Sequence, residues 1–139
     1  MREVHELNAR KIIHISHGEM GPIVDWDKSQ LGLEKENNKD TGIFVMGGFL
    51  ATDLDTNPTT LGRNGSDFSA SIIASLVDAD SVTIWTDVDG VMTGNPNQVS
   101  GAKIIHQMSY DEAAEMAYFG AKVIHPKMIS PLTKKSRVY

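Results

Sequence analysis

Apolar positions along this chain fall into short runs separated by polar loops. Val4, Leu7 and Ala9 have the spacing of a helix end or its connection. Lys11 to Ser16 (KIIHIS) predicts a strand, and His17 to Pro22 a loop. Trp26, Gln30, Leu31 and Leu33 form a weak stripe that predicts a helix over Trp26 to Glu36, although Gly32 weakens it. Glu34 to Thr41 is a polar surface linker. Gly42 to Ala51 (GIFVMGGFLA) is nearly continuous in apolar residues, and its Ile43-Phe44-Val45-Met46 core reads as a buried central strand of a parallel sheet. Gly47-Gly48 ends that strand where backbone can approach a turn or a ligand. Thr52 to Thr60 reads as a polar loop.

The next stretch, Thr59 to Leu76 (TTLGRNGSDFSASIIASL), organises the chain. Ser66 is a good N-cap, and Phe68, Ile72, Ile73, Leu76 and Val77 share one helical face. Ala70 and Ala74 leave room for close packing there. Ser81 to Trp85 (SVTIW) predicts another strand, completing a βαβ unit with a right-handed crossover. Loops 47–67 and 86–97 then leave carboxyl ends of strands, so they are expected at one edge of the sheet, where small ligands bind. Asn95-Pro96-Asn97 is a turn, and Ala102 to Met108 is extended. Ser109 and Glu112 form a capping box for a helix through Phe119, with Gly120 at C′. Pro126 takes the N1 position of a last short helix.

The 139 residues suffice for one small domain with a real core. Apolar content of 40% and charged content of 22% mark it as globular. A net charge of −5 argues against a nucleic-acid surface, because the lone basic run, Lys134 to Arg137, sits at the C-terminus. No cysteine is present, which excludes disulfides and thiolate metal sites. No signal peptide or membrane-length apolar run occurs, so a cytoplasmic or organelle-stromal location without membrane partners is expected. His14 and His17 would face opposite sides of a strand and have no third ligand at matching spacing, so no metal site is assigned to them.

Chemistry concentrates at the glycine-flanked loop. Free N–H groups and the positive dipole end at a helix start attract an anion. Arg63 can grip a carboxylate in a fork, and Asp67 can hold an ammonium. Together they suit a zwitterion, an amino acid; the plainer alternative is a local Arg–Asp salt bridge. Thr86 and Asp87 place a hydroxyl and a carboxylate at a predicted strand end, where they can meet ribose or phosphate; the plainer alternative is an Asp-Gly turn.

LGRNGSDFSA (residues 61–70) closely resembles the LGRGGSD segment of aspartokinases, in the amino-acid kinase superfamily. WTDVDG (85–90) resembles their second signature, and YFGAKVIHP (118–126) their SYFGAKVLHP block. The resemblance implies an α/β fold: a layered αβα sandwich with a mainly parallel sheet, the nucleotide lobe of the amino-acid kinase fold. Residues 1–139 would be a partial kinase domain, its nucleotide-binding half. It implies transfer of the ATP γ-phosphoryl, with Mg²⁺, to the β-carboxylate of L-aspartate, giving 4-phospho-L-aspartate for lysine, threonine and methionine biosynthesis. Arg63, Ser66 and Asp67 then match substrate-binding positions. Thr86, Asp87, Met92, Asn97, Lys122 and Val123 match positions lining the nucleotide. His125 is read as structural.

The sequence departs from the family pattern at several points. No KFGG occurs, the segment whose lysine neutralises the transferring phosphoryl. Met92 stands where Tyr is usual, Asn64 for Gly, Asn95 for Asp and Asn97 for Arg. The isolated chain is therefore expected to be inactive. Two rivals stand beside aspartokinase: another amino-acid kinase, such as a glutamate or carbamate kinase, and a non-catalytic nucleotide-binding or assembly fragment. Homo-oligomerisation is expected only through a parent protein, and fusion to homoserine dehydrogenase stays open.

Overall fold

The computed structural model describes residues 2–37, 39, 41–118 and 125–133. The chain divides into two compact units, Met1–Asp80 and Ser81–Tyr139.

The first unit is a mixed α/β structure. Its elements are β1 (Val4–Leu7), α1 (Ala9–Ile12), β2 (His14–Gly18), β3 (Gly21–Val24), α2 (Trp26–Glu36), β4 (Ile43–Met46), β5 (Leu50–Asp53), β6 (Pro58–Thr60) and α3 (Gly65–Leu76). β1 and β4 form a parallel pair, Val4 opposite Ile43 and Leu7 opposite Met46. The other sheet has the order β3-β2-β5-β6. Within it β2 and β5 are parallel, while β2–β3 and β5–β6 are antiparallel.

Several elements differ from expectation for local reasons. Val4–Leu7 is a strand rather than a helix end, because it pairs with β4 and turns Leu7 into the core. The run from Lys11 splits: Ile12 closes a one-turn helix capped by the Asn8 side chain, and the strand begins at His14. Residues 17–22 belong largely to the β2–β3 hairpin rather than to a loop. Residues 52–60 likewise hold a hairpin. There the Asp53 carboxylate accepts from the N–H groups of Asp55 and Asn57, at 2.9 and 2.8 Å, and closes the turn between β5 and β6. Those donors, the Asn57 N–H first, hold the Asp53 carboxyl below its ordinary range. β4 is not covered on both faces: it pairs with β1 alone among the described residues, and Ile43 and Val45 are exposed.

The core packs Ile12, Ile13, Ile15, Leu33, Ala51 and Leu61 against Phe68, Ile72 and Leu76 of α3. The α2 helix spans the expected residues and starts at Asp25, whose carboxylate accepts from the Lys28 N–H at 3.0 Å. Gly32 has a packing reason: a Cβ there would lie 2.3 Å from the Lys11 carbonyl oxygen, so α1 and α2 meet backbone to backbone. Buried Ser29 ties the same region to β2 by accepting from the His14 N–H at 3.0 Å.

The second unit contains α4 (Tyr110–Tyr118) and α5 (Pro126–Thr133), packed through Ala113, Ala117 and Ile129. The capping box forms as expected: Glu112 accepts from the Ser109 N–H at 2.7 Å, and Ser109 Oγ accepts from the Glu112 N–H at 3.2 Å. Pro126 opens α5, and the His125 ring nitrogen accepts from the Lys127 N–H at 3.2 Å, a structural capping contact. Ser81 to Trp85 is not a strand; none of its residues enters a ladder among those described, and Trp85 is 92% exposed. The βαβ unit therefore lacks its closing strand in this structure. The Gly120 helix stop falls outside the described residues.

Candidate functional site

A short loop, residues 61–64, leads from β6 into α3. Gly62 and Asn64 both have positive φ, 72° and 59°, and this bends the chain sharply around Arg63. The Gly65 N–H donates to the Gly62 carbonyl at 3.0 Å, closing the turn. Asn64, not Ser66, is the N-cap, and it makes no side-chain cap bond. Ser66 falls inside the helix because the left-handed turn at Asn64 starts it two residues early. With no capping side chain, the first-turn N–H groups near Ser66 and Asp67 stay open to an anion.

The turn is held from beneath. Phe49 donates its N–H to Ser69 Oγ at 2.9 Å, and that hydroxyl donates to the Gly65 carbonyl at 2.8 Å. A Cβ at Gly65 would strike the Phe49 ring at 2.8 Å, and one at Gly48 would sit 3.0 Å from Ser66 Cα. The small residues that matter for packing are thus Gly48, Gly65 and buried Ser69, Ser71 and Ser75, whereas Ala70 and Ala74 are only half-buried. Sequence reading missed Ser69 and Phe49; the signal was the Gly47-Gly48 pair, whose second member touches Ser66.

Arg63 and Ser66 are exposed and Asp67 is half-buried. Lys11 and Glu36 form an ion pair, whereas Arg63 and Asp67 do not pair with each other. Both charges of the loop are therefore left for something else to meet.

A cleft of about 520 Å³ opens at the carboxyl ends of β1 and β4, lined by Glu6, Asn8, Arg10, Lys11, Glu36 and Gly47 among others. Lys11 Nζ meets Glu36 at 3.1 Å on its wall. The Gly47-Gly48 pair separates this cleft from the α3 turn: Gly47 lines the one and Gly48 packs on the other.

The remaining predicted positions lie in the second unit. Thr86 and Asp87 are exposed neighbours, the Thr86 hydroxyl donating to Asp87 Oδ1 at 3.3 Å. Met92 is half-buried and bridges Ile104 in antiparallel fashion. Asn97 is exposed in the expected turn, its N–H donating to Asn95 Oδ1 at 3.0 Å. Lys122 and Val123 lie outside the described residues. Among the described residues no three His, Cys, Asp or Glu side chains gather as a metal cradle. No described helix is long and apolar enough to cross a membrane.

Comparison with known proteins follows the same lines. Residues 3–139 match the model of the amino acid kinase family. Over 125 residues the chain is 40% identical to the bifunctional aspartokinase/homoserine dehydrogenase of Buchnera aphidicola, covering 90% of this chain and 15% of that protein. Over 93 residues it is 45% identical to lysine-sensitive aspartokinase 3 of Escherichia coli, covering 67% and 21%. The structure of E. coli aspartokinase III with aspartate and ADP matches at a TM-score of 0.82 and 33% identity, covering 96% of this chain and 30% of that one. The same enzyme with lysine and aspartate matches at 0.74 and 34%. The chain thus spans less than a third of each of these relatives.

Proposed function

The chain belongs to the amino acid kinase family, and from that premise we propose that residues 1–139 form part of an aspartate kinase domain. The parent enzyme would phosphorylate the β-carboxylate of L-aspartate from ATP. The observation that carries this reading is the α3 start: an uncapped helical turn flanked by Arg63 and Asp67, which do not pair with each other. Arg63 would take the α-carboxylate and Asp67 the ammonium, which orients the β-carboxylate outward as nucleophile. That carboxylate is ionised at neutral pH, so no general base is needed. Catalysis then rests on positioning and on charge neutralisation at the phosphoryl group.

Thr86, Asp87, Met92, Asn97, Lys122 and Val123 are proposed for the nucleotide, on the resemblance of their segments. Mg²⁺ belongs to the proposal as the nucleotide's companion, where it would supply charge neutralisation at the phosphates. A cytoplasmic or stromal location is proposed with the biosynthetic role.

The test is a chimera in which this chain replaces the corresponding segment of E. coli aspartokinase III. The expected result is aspartate-dependent consumption of ATP by the chimera and none by the isolated chain, which has no KFGG lysine to neutralise charge. A folded chimera that consumes ATP with glutamate but not aspartate would overturn the substrate assignment.

A further inference from the structure

Helix α3 buries three serines, Ser69, Ser71 and Ser75. Serine suits a helix interior poorly, because its hydroxyl competes for backbone groups. A buried hydroxyl also has to be hydrogen-bonded. Ser71 meets that demand within the helix, donating to the Asp67 carbonyl one turn back at 3.1 Å. Ser69 makes the same kind of bond, to the Gly65 carbonyl at 2.8 Å, and its oxygen also accepts the Phe49 N–H at 2.9 Å, from a segment outside the helix.

Phe49 has a φ of 75°, in the left-handed region that a bulky residue rarely adopts. Burial does not account for it, since Phe49 is 42% exposed. Such a conformation persists where its surroundings over-determine it, and such residues gather at functional sites. Here the surroundings are the two ends of the Arg63 loop. The Phe49 carbonyl accepts from the Leu61 N–H at 2.9 Å, just before the loop. The Phe49 N–H is joined to Gly65, just after the loop, through the Ser69 hydroxyl. The Phe49 ring also lies where a Cβ on Gly65 would strike it. Gly62, Arg63 and Asn64 therefore hang between two points fixed to one strained residue.

We infer that Ser69 is a positioning residue for the amino acid: its hydroxyl locks Phe49 in the left-handed conformation, and Phe49 in turn sets where the loop holds Arg63. The inference rests on the aspartate kinase reading for the identity of the ligand. Ser69 is buried, so it acts through the backbone of residues 49 and 65 and not by touching the ligand. Without the hydroxyl, the Phe49 N–H loses its acceptor and the left-handed conformation loses one of its holds. The loop can then shift, and the fork of a guanidinium on a carboxylate tolerates little displacement.

Threonine and valine share a shape and differ in the hydroxyl. Ser69→Thr and Ser69→Val therefore crowd the site alike, and the difference between them reads the hydroxyl alone. Ser75→Ala removes another buried serine farther along α3, away from the loop. In this chain by itself, the Phe49 amide should exchange at least about tenfold faster in Ser69→Val than in Ser69→Thr, with the central α3 amides alike in both. In the chimera with E. coli aspartokinase III, Ser69→Val should raise KM for L-aspartate at least about tenfold over Ser69→Thr and leave KM for ATP unchanged. Ser69→Thr and Ser75→Ala should keep the aspartate KM of the parent chimera. Should the added methyl prevent folding, Ser69→Ala against the parent serine gives the same two readings.

A serine that serves stability alone would lower the amount of active enzyme, so that kcat falls while both KM values stand; that result overturns the inference. Equal exchange of the Phe49 amide in Ser69→Val and Ser69→Thr overturns it as well. A parent chimera that folds yet consumes no ATP with aspartate counts against the kinase reading, while the exchange measurement still decides the Ser69–Phe49 lock.

Discussion

Ile12, Ile13, Ile15, Leu61 and Ile72 are fully buried in the first unit, joined by Phe68 and Leu76. In the second unit the buried apolar side chains of the described residues are Ala113, Ala117, Ile129 and Pro131. Both units carry sharp local helix signals, and both realise them. Only the first realises its strands. Its ladders join residues far apart in sequence, such as Val4 to Ile43 and Ile15 to Asp53. Ser81 to Trp85 has strand-forming residues as good as those of β4, yet no described stretch pairs with it. A helix closes its hydrogen bonds within itself and needs only a face to bury, whereas a strand needs a neighbour. The two units show that difference side by side.

Unequal cores give the largest expected effect. Ile72→Ala should cost about 4 kcal/mol, because a fully buried side chain in a dense core leaves a cavity that cannot collapse. Ile129→Ala should cost about 2 kcal/mol, because the residues described around it, alanines and the flexible Met108, can close in. Hydrogen exchange of α3 amides and of α4–α5 amides reads each unit by itself. Equal costs would break the comparison.

A smaller effect is expected at the positions proposed for the nucleotide in the second unit. Asn97 stands where the resembling family carries arginine, and it is exposed. In the chimera, Asn97→Arg should tighten ATP by about 1 kcal/mol through a partly exposed charge–phosphate contact. The gain should shrink as salt rises, since exposed charges are screened. Calorimetry at low and high salt checks both; no gain at low salt would mean that this turn faces away from the nucleotide.

The smallest effect is a pH dependence local to α4. The Ser109 N–H and hydroxyl hold the Glu112 carboxyl below the ordinary glutamate value of 4.5. A folded value below the unfolded one means that the stabilisation is present above about pH 4.5 and is lost as pH falls through the folded value. Carboxyl-carbon NMR should show the Glu112 midpoint below 4.5, and Glu112→Gln should remove this acid-linked fraying of α4. A midpoint at or above 4.5 would contradict the capping box.

Legibility in the sequence followed the same physics. The α2 span, the Ser109–Glu112 box and Pro126 at the start of α5 were readable because caps and periodicity are local. The β5–β6 hairpin was not, since only Ala51 among its residues is buried and its turn is set by a single carboxylate, Asp53. β1 was missed because its inward positions are His5 and Leu7, too few to show alternation. Arg63 and Asp67 were legible as a charged pair beside glycines. That they do not pair with each other, and that Asn64 begins the helix, depended on backbone geometry at two positive-φ residues.

The central claim is that the α3 turn of the first unit holds the amino acid and the second unit holds the nucleotide. Calorimetric titration of the chimera with L-aspartate and with ATP, before and after Arg63→Ala, tests it most directly. Loss of a bidentate contact to a carboxylate should weaken L-aspartate by about 2–3 kcal/mol and leave ATP nearly unchanged. If ATP weakens as much as aspartate, Arg63 is not the substrate anchor and the division of labour between the units is wrong.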